Sequence, residues 1–343
     1  MVEGAEIHRI QLADGIGLSV TTAGDPEGQP VMLLHGFPEL AYSWRHQIAA
    51  FADAGLWVIA PDQRGYGWSD APEDTESYDI FSLTGDVVGL LDHFDIGRVT
   101  LVGHDWGSIV AWHTALFRPD RLAGLALLSL PYQPRGDLDW PSRIALTDDS
   151  PFAYMAAFAD PDSGMAEVFN ADPIGTLRTI FLAASGPQLD AAEPDAVEPD
   201  AVDPTTKGGH ELGNEAGLPR HLTPGEFENY CRASARAKFD GPLSWYRNMG
   251  RNWELTRAWH GAPIEVRSIF IGGAEDFVTL NADAHLGGDT RELSARMTDL
   301  VGDHRIEGAG HWLAQEAPDE VTAILLDFIA GKPASDQPDA GDP

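Results

Sequence analysis

The sequence sets an aspartate where its surroundings prepare for a nucleophile. In LVGHDWGSIVAW, residues 101–112, an apolar run enters a turn at Gly103-His104-Asp105-Trp106-Gly107 and a helix-like stretch follows. Enzymes carrying G-x-S-x-G in this setting hold a serine on a strained strand-to-helix elbow, and here Asp105 takes the serine's place. A serine must lose a proton before it attacks, whereas an unperturbed aspartate, with a pKa of about 3.9, is already ionised at neutral pH. Such a carboxylate can displace a leaving group at an sp³ carbon, leaving an alkyl ester of Asp105. Hydrolysis of that ester needs an activated water and donors for the oxyanion that develops on the aspartyl carbonyl.

Three other segments offer those parts: His35-Gly36-Phe37-Pro38-Glu39, GGAEDFV with Asp276, and GAGHW with His311. Nucleophile, acid and histidine run along the chain in the order found in enzymes that use this elbow. His311 is expected to activate the water, Asp276 to hold its tautomer and stabilise its cation, and the backbone N–H groups of Phe37 and Trp106 to form the oxyanion hole.

Each of these residues follows an expected strand, as the rule that ligands sit beyond the carboxyl ends of an open α/β sheet requires. Strands are expected near 7–12, 16–22, 31–35, 57–61, 98–103, 123–129, 266–272 and 303–307, and helices near 42–54, 81–94, 107–117 and 318–330. In the second helix Val87, Val88, Leu90, Leu91 and Phe94 give the apolar period, and in the last Val321, Ile324, Leu325 and Phe328 do so. The pattern breaks between Leu130 and about Ala262, a stretch rich in Trp, Pro and Phe without good strand signals. The expected organisation is a mostly parallel eight-stranded α/β sheet in two parts, 1–130 and 263–331, with a helical insertion over 131–262 and a tail over 332–343. Within the insertion EPDAVEPDAVDP repeats acidic and proline residues, which points to a solvated loop near 188–206.

Composition limits the partners. The 343 residues carry 54 acidic and 22 basic side chains, a formal charge of −32, which repels nucleic acid and anionic membrane alike. Lys207, Lys238 and Lys332 are the only lysines; a salt-rich solvent and a coding bias toward Arg, Ala, Gly and Asp explain this equally well. No apolar run is long enough to span a membrane and the first residues lack a leader pattern, so a cytoplasmic location is expected. Cys231 is the single cysteine and forms no intrachain disulfide. No phosphate-loop or C-x-x-C motif is present, and His210-Glu211 lacks a second histidine because Asn214 stands in its place, so no cofactor or metal is called for. The sequence assigns no oligomeric state.

The segments HGFPE, DQRGYGWSD, VGHDWGS, GPLSWYRNMGRNW, GAEDFV and GAGHWLAQEAP resemble the epoxide hydrolases of the α/β-hydrolase fold, over about residues 7 to 330. The resemblance implies an α/β-hydrolase fold with an inserted helical cap. It implies conversion of a small apolar epoxide and water to a vicinal diol, and a cis peptide before Pro38 that turns Phe37 inward. It also implies two tyrosines, Tyr246 in SWYRN and Tyr154 in PFAYMAAF, that donate to the epoxide oxygen from above Asp105. Phe37, Pro38 and Trp106 are expected to line the substrate pocket.

Each role has a plainer rival. Asp105 could cap the helix that follows, Asp276 could be a turn residue with Glu275 as the acid, and Tyr132 or Tyr230 could replace Tyr154. Cys231 has no base nearby and reads as packing. A haloalkane dehalogenase would use the same Asp, His and Asp, but it commonly has a side-chain N–H donor where Phe37 stands. A fluoroacetate-type dehalogenase would have Arg in place of Trp106. A hydrolase-like protein that only binds its ligand is the remaining alternative, disfavoured by the intact Asp105, Asp276 and His311.

Overall fold

The computed structural model describes residues 2–147, 149–187, 217–287 and 292–332. The acidic repeat, His210-Glu211 and the tail from residue 333 lie outside the described residues. The chain runs β1 (Glu6–Gln11), β2 (Gly17–Ala23), β3 (Pro30–Leu34), α1 (Arg45–Asp53), β4 (Trp57–Asp62), α2 (Ile80–His93), β5 (Val99–His104), α3 (Trp106–Phe117) and β6 (Leu122–Leu128). Between β6 and β7 (Ser268–Gly273) come only helices among the described residues: α4 (Trp140–Ile144), α5 (Tyr154–Ala159), α6 (Met165–Ala171), α7 (Pro173–Ala183), α8 (Pro224–Ala237), α9 (Asp240–Arg247) and α10 (Met249–Leu255). The chain closes with α11 (Phe277–Ala282), α12 (Leu293–Arg296), β8 (Leu300–Ile306), α13 (Leu313–Glu316) and α14 (Pro318–Ile329). Every strand and helix expected from the sequence is present, with ends shifted by up to three residues.

The eight strands form one sheet in the order β1-β2-β4-β3-β5-β6-β7-β8. The pairs β1/β2 and β2/β4 are antiparallel and the rest parallel. Helices cover both faces of the central strands, so these read as continuous apolar runs: β5, VTLVGH, is buried throughout. β1 lies at the edge, and of its six residues only Ile10 is fully buried. Alternation still sorts side chains between the faces. Met32 and Leu34 join the core formed with α2, α3 and the insertion, while Val31 and Leu33 join the opposite core with α1 and α14. On α14 the buried Val321, Leu325 and Phe328 make the predicted face, and burial of each contributes roughly 1.5–3 kcal/mol. Asp79 starts α2 by accepting from the Ser82 N–H.

The chain leaves β3 toward β4 on one side and returns to β5 on the other. This switch opens a crevice at the carboxyl ends of β3 and β5, beside which β6, β7 and β8 also end. The insertion is tied over that end. Arg45 of α1 donates to Glu226 (2.6 Å) and to the His221 carbonyl (2.9 Å) in the insertion, and to Gln315 of α13 (2.6 Å). At its stem the Tyr132 hydroxyl donates to the Ala262 carbonyl (2.6 Å) and the Gly261 N–H to the Arg135 carbonyl (3.0 Å).

Candidate active site

β5 delivers Asp105 into the crevice at φ 53°, ψ −118°, and α3 begins at the next residue. A non-glycine residue at positive φ is strained, and such strain collects at functional sites. The flanking glycines permit the bend. A Cβ on Gly103 would lie 2.3 Å from the Gly107 carbonyl oxygen, and one on Gly107 would lie 2.2 Å from that of Leu34. A Cβ on Gly36 would lie 2.4 Å from that of Asp105, so the turn after β3 needs glycine to admit the carboxylate. The Asp105 side chain makes no helix-capping bond, which removes the plainer role considered for it.

The Asp105 carboxylate instead takes the Phe37 N–H on Oδ1 at 2.9 Å, with the Trp106 N–H beside it. The peptide between Phe37 and Pro38 is cis, as the resemblance implied. Burial raises the Asp105 pKa; the charges of His311 and His104 and the two N–H groups act against that rise.

His311 follows β8 in a turn gathered by Glu316, whose carboxylate accepts from the N–H groups of Gly310 (3.0 Å), Trp312 (2.9 Å) and Gly186 of the insertion (2.8 Å). Its Nε2 lies 3.7 Å from Asp105 Oδ2 and its Nδ1 lies 3.2 Å from Asp276 Oδ1. Burial alone would lower the His311 pKa, but the charge and hydrogen bond of Asp276, with the charges of Asp105 and Glu39, carry it up to about 9. Asp276 is fully buried at the start of α11, where the Val278 N–H donates to it (2.9 Å). It therefore caps α11 and faces His311 at once. Glu275 points to solvent and has neither contact.

The insertion brings Tyr246 on α9 and Tyr154 at the start of α5 to the same place. The Tyr246 ring packs edge-on against Trp106 (5.0 Å), Phe37 (5.4 Å) and Phe158 (5.2 Å), and Tyr154 packs against Phe158 (5.2 Å). Burial first and the charge of Asp105 after it raise the pKa of both phenols, so they stay protonated donors at neutral pH. The rival tyrosines are engaged elsewhere: Tyr132 with Ala262, and Tyr230 with Ser43 (3.0 Å) and Gln315 (3.1 Å). Trp106 and Phe37, which pack on the Tyr246 ring, and Pro38 are all buried. Cys231 packs half-buried on α8, its thiol pKa pushed up to about 11 by burial.

Sequence reading missed a second buried pair beneath the first. Nδ1 of His104 lies 2.7 Å from Glu39 Oε2, and Nε2 lies 2.8 Å from the His311 carbonyl oxygen. Both ring nitrogens thus face oxygen atoms. Burial opposes the charge on Glu39, yet His104 pulls its pKa down to about 2. Gln315 also donates to Glu39 (2.9 Å). Both residues stood inside the quoted motifs, HGFPE and GHDWG; His104 closes β5 and Glu39 lies in the turn after β3, and polar residues just there were the signal. Ser129, just past β6 in LLSLPY, carried the same signal. Among the described residues no cluster of three or more His, Cys, Asp or Glu could hold a metal ion, and no helix is long and apolar enough to cross a membrane.

Residues 29–318 match the family described as alpha/beta hydrolase fold. Epoxide hydrolase A of Mycobacterium tuberculosis is 43% identical over 96% of this chain and 98% of its own length, and epoxide hydrolase 1 of Siraitia grosvenorii is 36% identical over 94% and 97%. Among solved structures, epoxide hydrolase A from Mycobacterium thermoresistibile superposes with a TM-score of 0.80 at 39% identity, covering 95% of this chain and 98% of that one.

Proposed function

The chain belongs to the α/β-hydrolase fold family and, within it, to the epoxide hydrolases, and from this premise we propose that it opens a small apolar epoxide through an ester on Asp105. The observation that carries the reading is a buried carboxylate on the elbow that caps nothing, takes the Phe37 N–H and faces both His311 and two phenols. In the first step Asp105 attacks an epoxide carbon and the C–O bond breaks. Tyr246 and Tyr154 donate to the oxygen that leaves, an alkoxide too basic to depart unassisted. Residues 131–262 act as the lid that carries both donors.

In the second step a water gives a proton to Nε2 of His311 and attacks Cγ of the ester. The oxyanion forms against the N–H groups of Phe37 and Trp106. Asp276 stabilises the imidazolium; the tetrahedral species collapses as the imidazolium returns its proton to the departing diol oxygen, and the second proton of the water passes from the aspartyl acid to the site that gave up a proton when the epoxide opened, which restores the Asp105 carboxylate and both phenols. The charge on Asp105 helps to hold the His311 pKa near 9. Esterification removes that charge, so His311 titrates lower and a larger share of it is the neutral base once there is an ester to hydrolyse. No cofactor enters either step. For a dehalogenase, Phe37 offers no side-chain N–H for a halide.

Replacing His311 tests this directly. Asp105 needs no base to attack, so His311→Gln is expected to form ester at near the wild-type rate and to hydrolyse it about 100- to 10,000-fold more slowly. Intact-protein mass spectrometry after mixing with styrene oxide should find an adduct of the epoxide's mass. A variant that binds the epoxide and stays unmodified would refute the mechanism.

A further inference from the structure

We propose that Ser129 is a positioning residue for ester hydrolysis, its hydroxyl linking Asp276 to Nδ1 of His311. The inference rests on the ester mechanism above. Ser129 is the first residue past β6 and is fully buried. Its hydroxyl donates to Asp276 Oδ2 at 2.5 Å, and its oxygen lies 2.8 Å from His311 Nδ1, nearer than the 3.2 Å of Asp276 Oδ1. A serine hydroxyl has one proton. With that proton directed at the carboxylate, only lone pairs face Nδ1, so Nδ1 must carry the hydrogen. The unprotonated position is then Nε2, the nitrogen turned toward Asp105, which is the tautomer that can take a proton from water.

The backbone argues that the side chain is there for this purpose. Ser129 has φ 69°, and the Leu130 N–H donates across it to the Leu128 carbonyl at 2.8 Å. A three-residue turn with a positive central φ is the rare, strained kind, and glycine adopts it most readily. The turn is fixed on both sides: the Ser129 N–H donates to the Ile271 carbonyl (2.9 Å), and Thr279 Oγ1 donates to the Ser129 carbonyl (2.6 Å). A residue that merely filled the turn would be glycine. Here a serine keeps a strained backbone and spends both sides of its hydroxyl on the acid and the base.

During hydrolysis the proton lost by water arrives on Nε2, and the imidazolium then holds its Nδ1–H against Ser129 Oγ and Asp276 Oδ1. Removing the oxygen removes the nearest acceptor of that cation. His311 becomes a weaker base, its hydrolytic pKa moves to lower pH and the plateau rate falls.

Two variants suited to the turn test this. Ser129→Gly deletes the hydroxyl and eases the backbone. Ser129→Asn tolerates positive φ and restores one donor and one acceptor. Single-turnover formation and hydrolysis of the styrene oxide ester would be followed from about pH 5 to 10, on either side of the ordinary histidine range. For S129G the expected result is hydrolysis slowed about 10- to 100-fold, as for a lost hydrogen bond to a charged group, with ester formation within about threefold of wild type. The pKa of the hydrolysis limb should shift down, and S129N should recover most of the rate. Wild-type hydrolysis and pH profile in S129G would overturn the inference, as would a slower rate with an unmoved pKa and no recovery in S129N, the mark of a packing role. If the His311→Gln control also gave no adduct, the ester reading itself would fall; if that control trapped ester while S129G matched wild type, only the role of Ser129 would.

Discussion

On the core side of the crevice, Asp105, His311, Asp276, His104 and Glu39 alternate acid with histidine, each in reach of one of the other kind or an N–H. The insertion brings Phe158, Phe169 and two phenols to the other side. Burial acts on both but with different results. On the core side each buried charge needs a partner, so the fold supplies a chain of them and pKa values move in both directions. On the insertion side burial moves the phenols only upward, which keeps them as donors. In the proposed mechanism the contrast divides the reaction: proton donation to the opened epoxide belongs to the insertion, and ester hydrolysis to the core.

Removing both phenols should break that division most severely. Tyr154→Phe with Tyr246→Phe leaves the rings packed and the leaving oxygen without a donor, and ester formation is expected to slow by about 1,000-fold or more. Hydrolysis of ester already formed should change little. Single-turnover quenching on an epoxide measures both steps, and equal losses in the two would erase the contrast. With one phenol left, Tyr246→Phe is expected to cost about 10- to 100-fold in ester formation, because Tyr154 substitutes in part.

A pH profile sharpens the core side. The resting His311 is held near 9 partly by the charge of Asp105. In the ester that charge is absent, so the hydrolysis limb should titrate below 9, by about one unit for the loss of a neighbouring charge. Hydrolysis would then be about fivefold faster at pH 8 than the resting titration implies. NMR titration of His311 in the free enzyme beside the pH dependence of ester decay tests this; coincident values would contradict it. The smallest effect is expected at Glu275. It is exposed beside a buried Asp276, so Glu275→Gln should leave kcat within about twofold of wild type, in keeping with surface changes of about 0.5 kcal/mol. A large loss would move the acid's role by one residue.

What could be read from the sequence divides along the same line. Strands in the core announce themselves because a sheet covered on both faces must be apolar from end to end, and polar residues at their carboxyl ends then stand out; Asp105, Asp276 and His311 are of this kind. Asp105 was separated from its capping role only by coordinates, since the same residue type serves both. Glu39, His104 and Ser129 were visible as letters in or beside motifs, but their meaning depends on which ring nitrogen or hydroxyl faces which acceptor, and spacing along a chain does not encode that. In the insertion, which helix faces meet is decided by tertiary packing, so the meeting of Tyr154 with Tyr246 is written in neither segment, and only the resemblance pointed to it. The acid rivals, Asp276 and Glu275, differ by one position, and a helix start fixes which of two neighbours turns inward.

The stem of the insertion has a consequence for how such enzymes diversify. β6 and β7 are adjacent strands, paired from Leu125 with Ser268 to Leu128 with Ile271, and the segments leaving and entering them are joined at Tyr132–Ala262 and Arg135–Gly261. Two ends that begin side by side ask little of whatever chain connects them. Evolution can therefore exchange or lengthen that connection as a module, recombining new ceilings with an inherited catalytic bed, while the glycine contacts around Asp105 forbid comparable freedom below. Selectivity for one epoxide over another would then be a trait of the grafted piece, inherited separately from the power to make and break the ester.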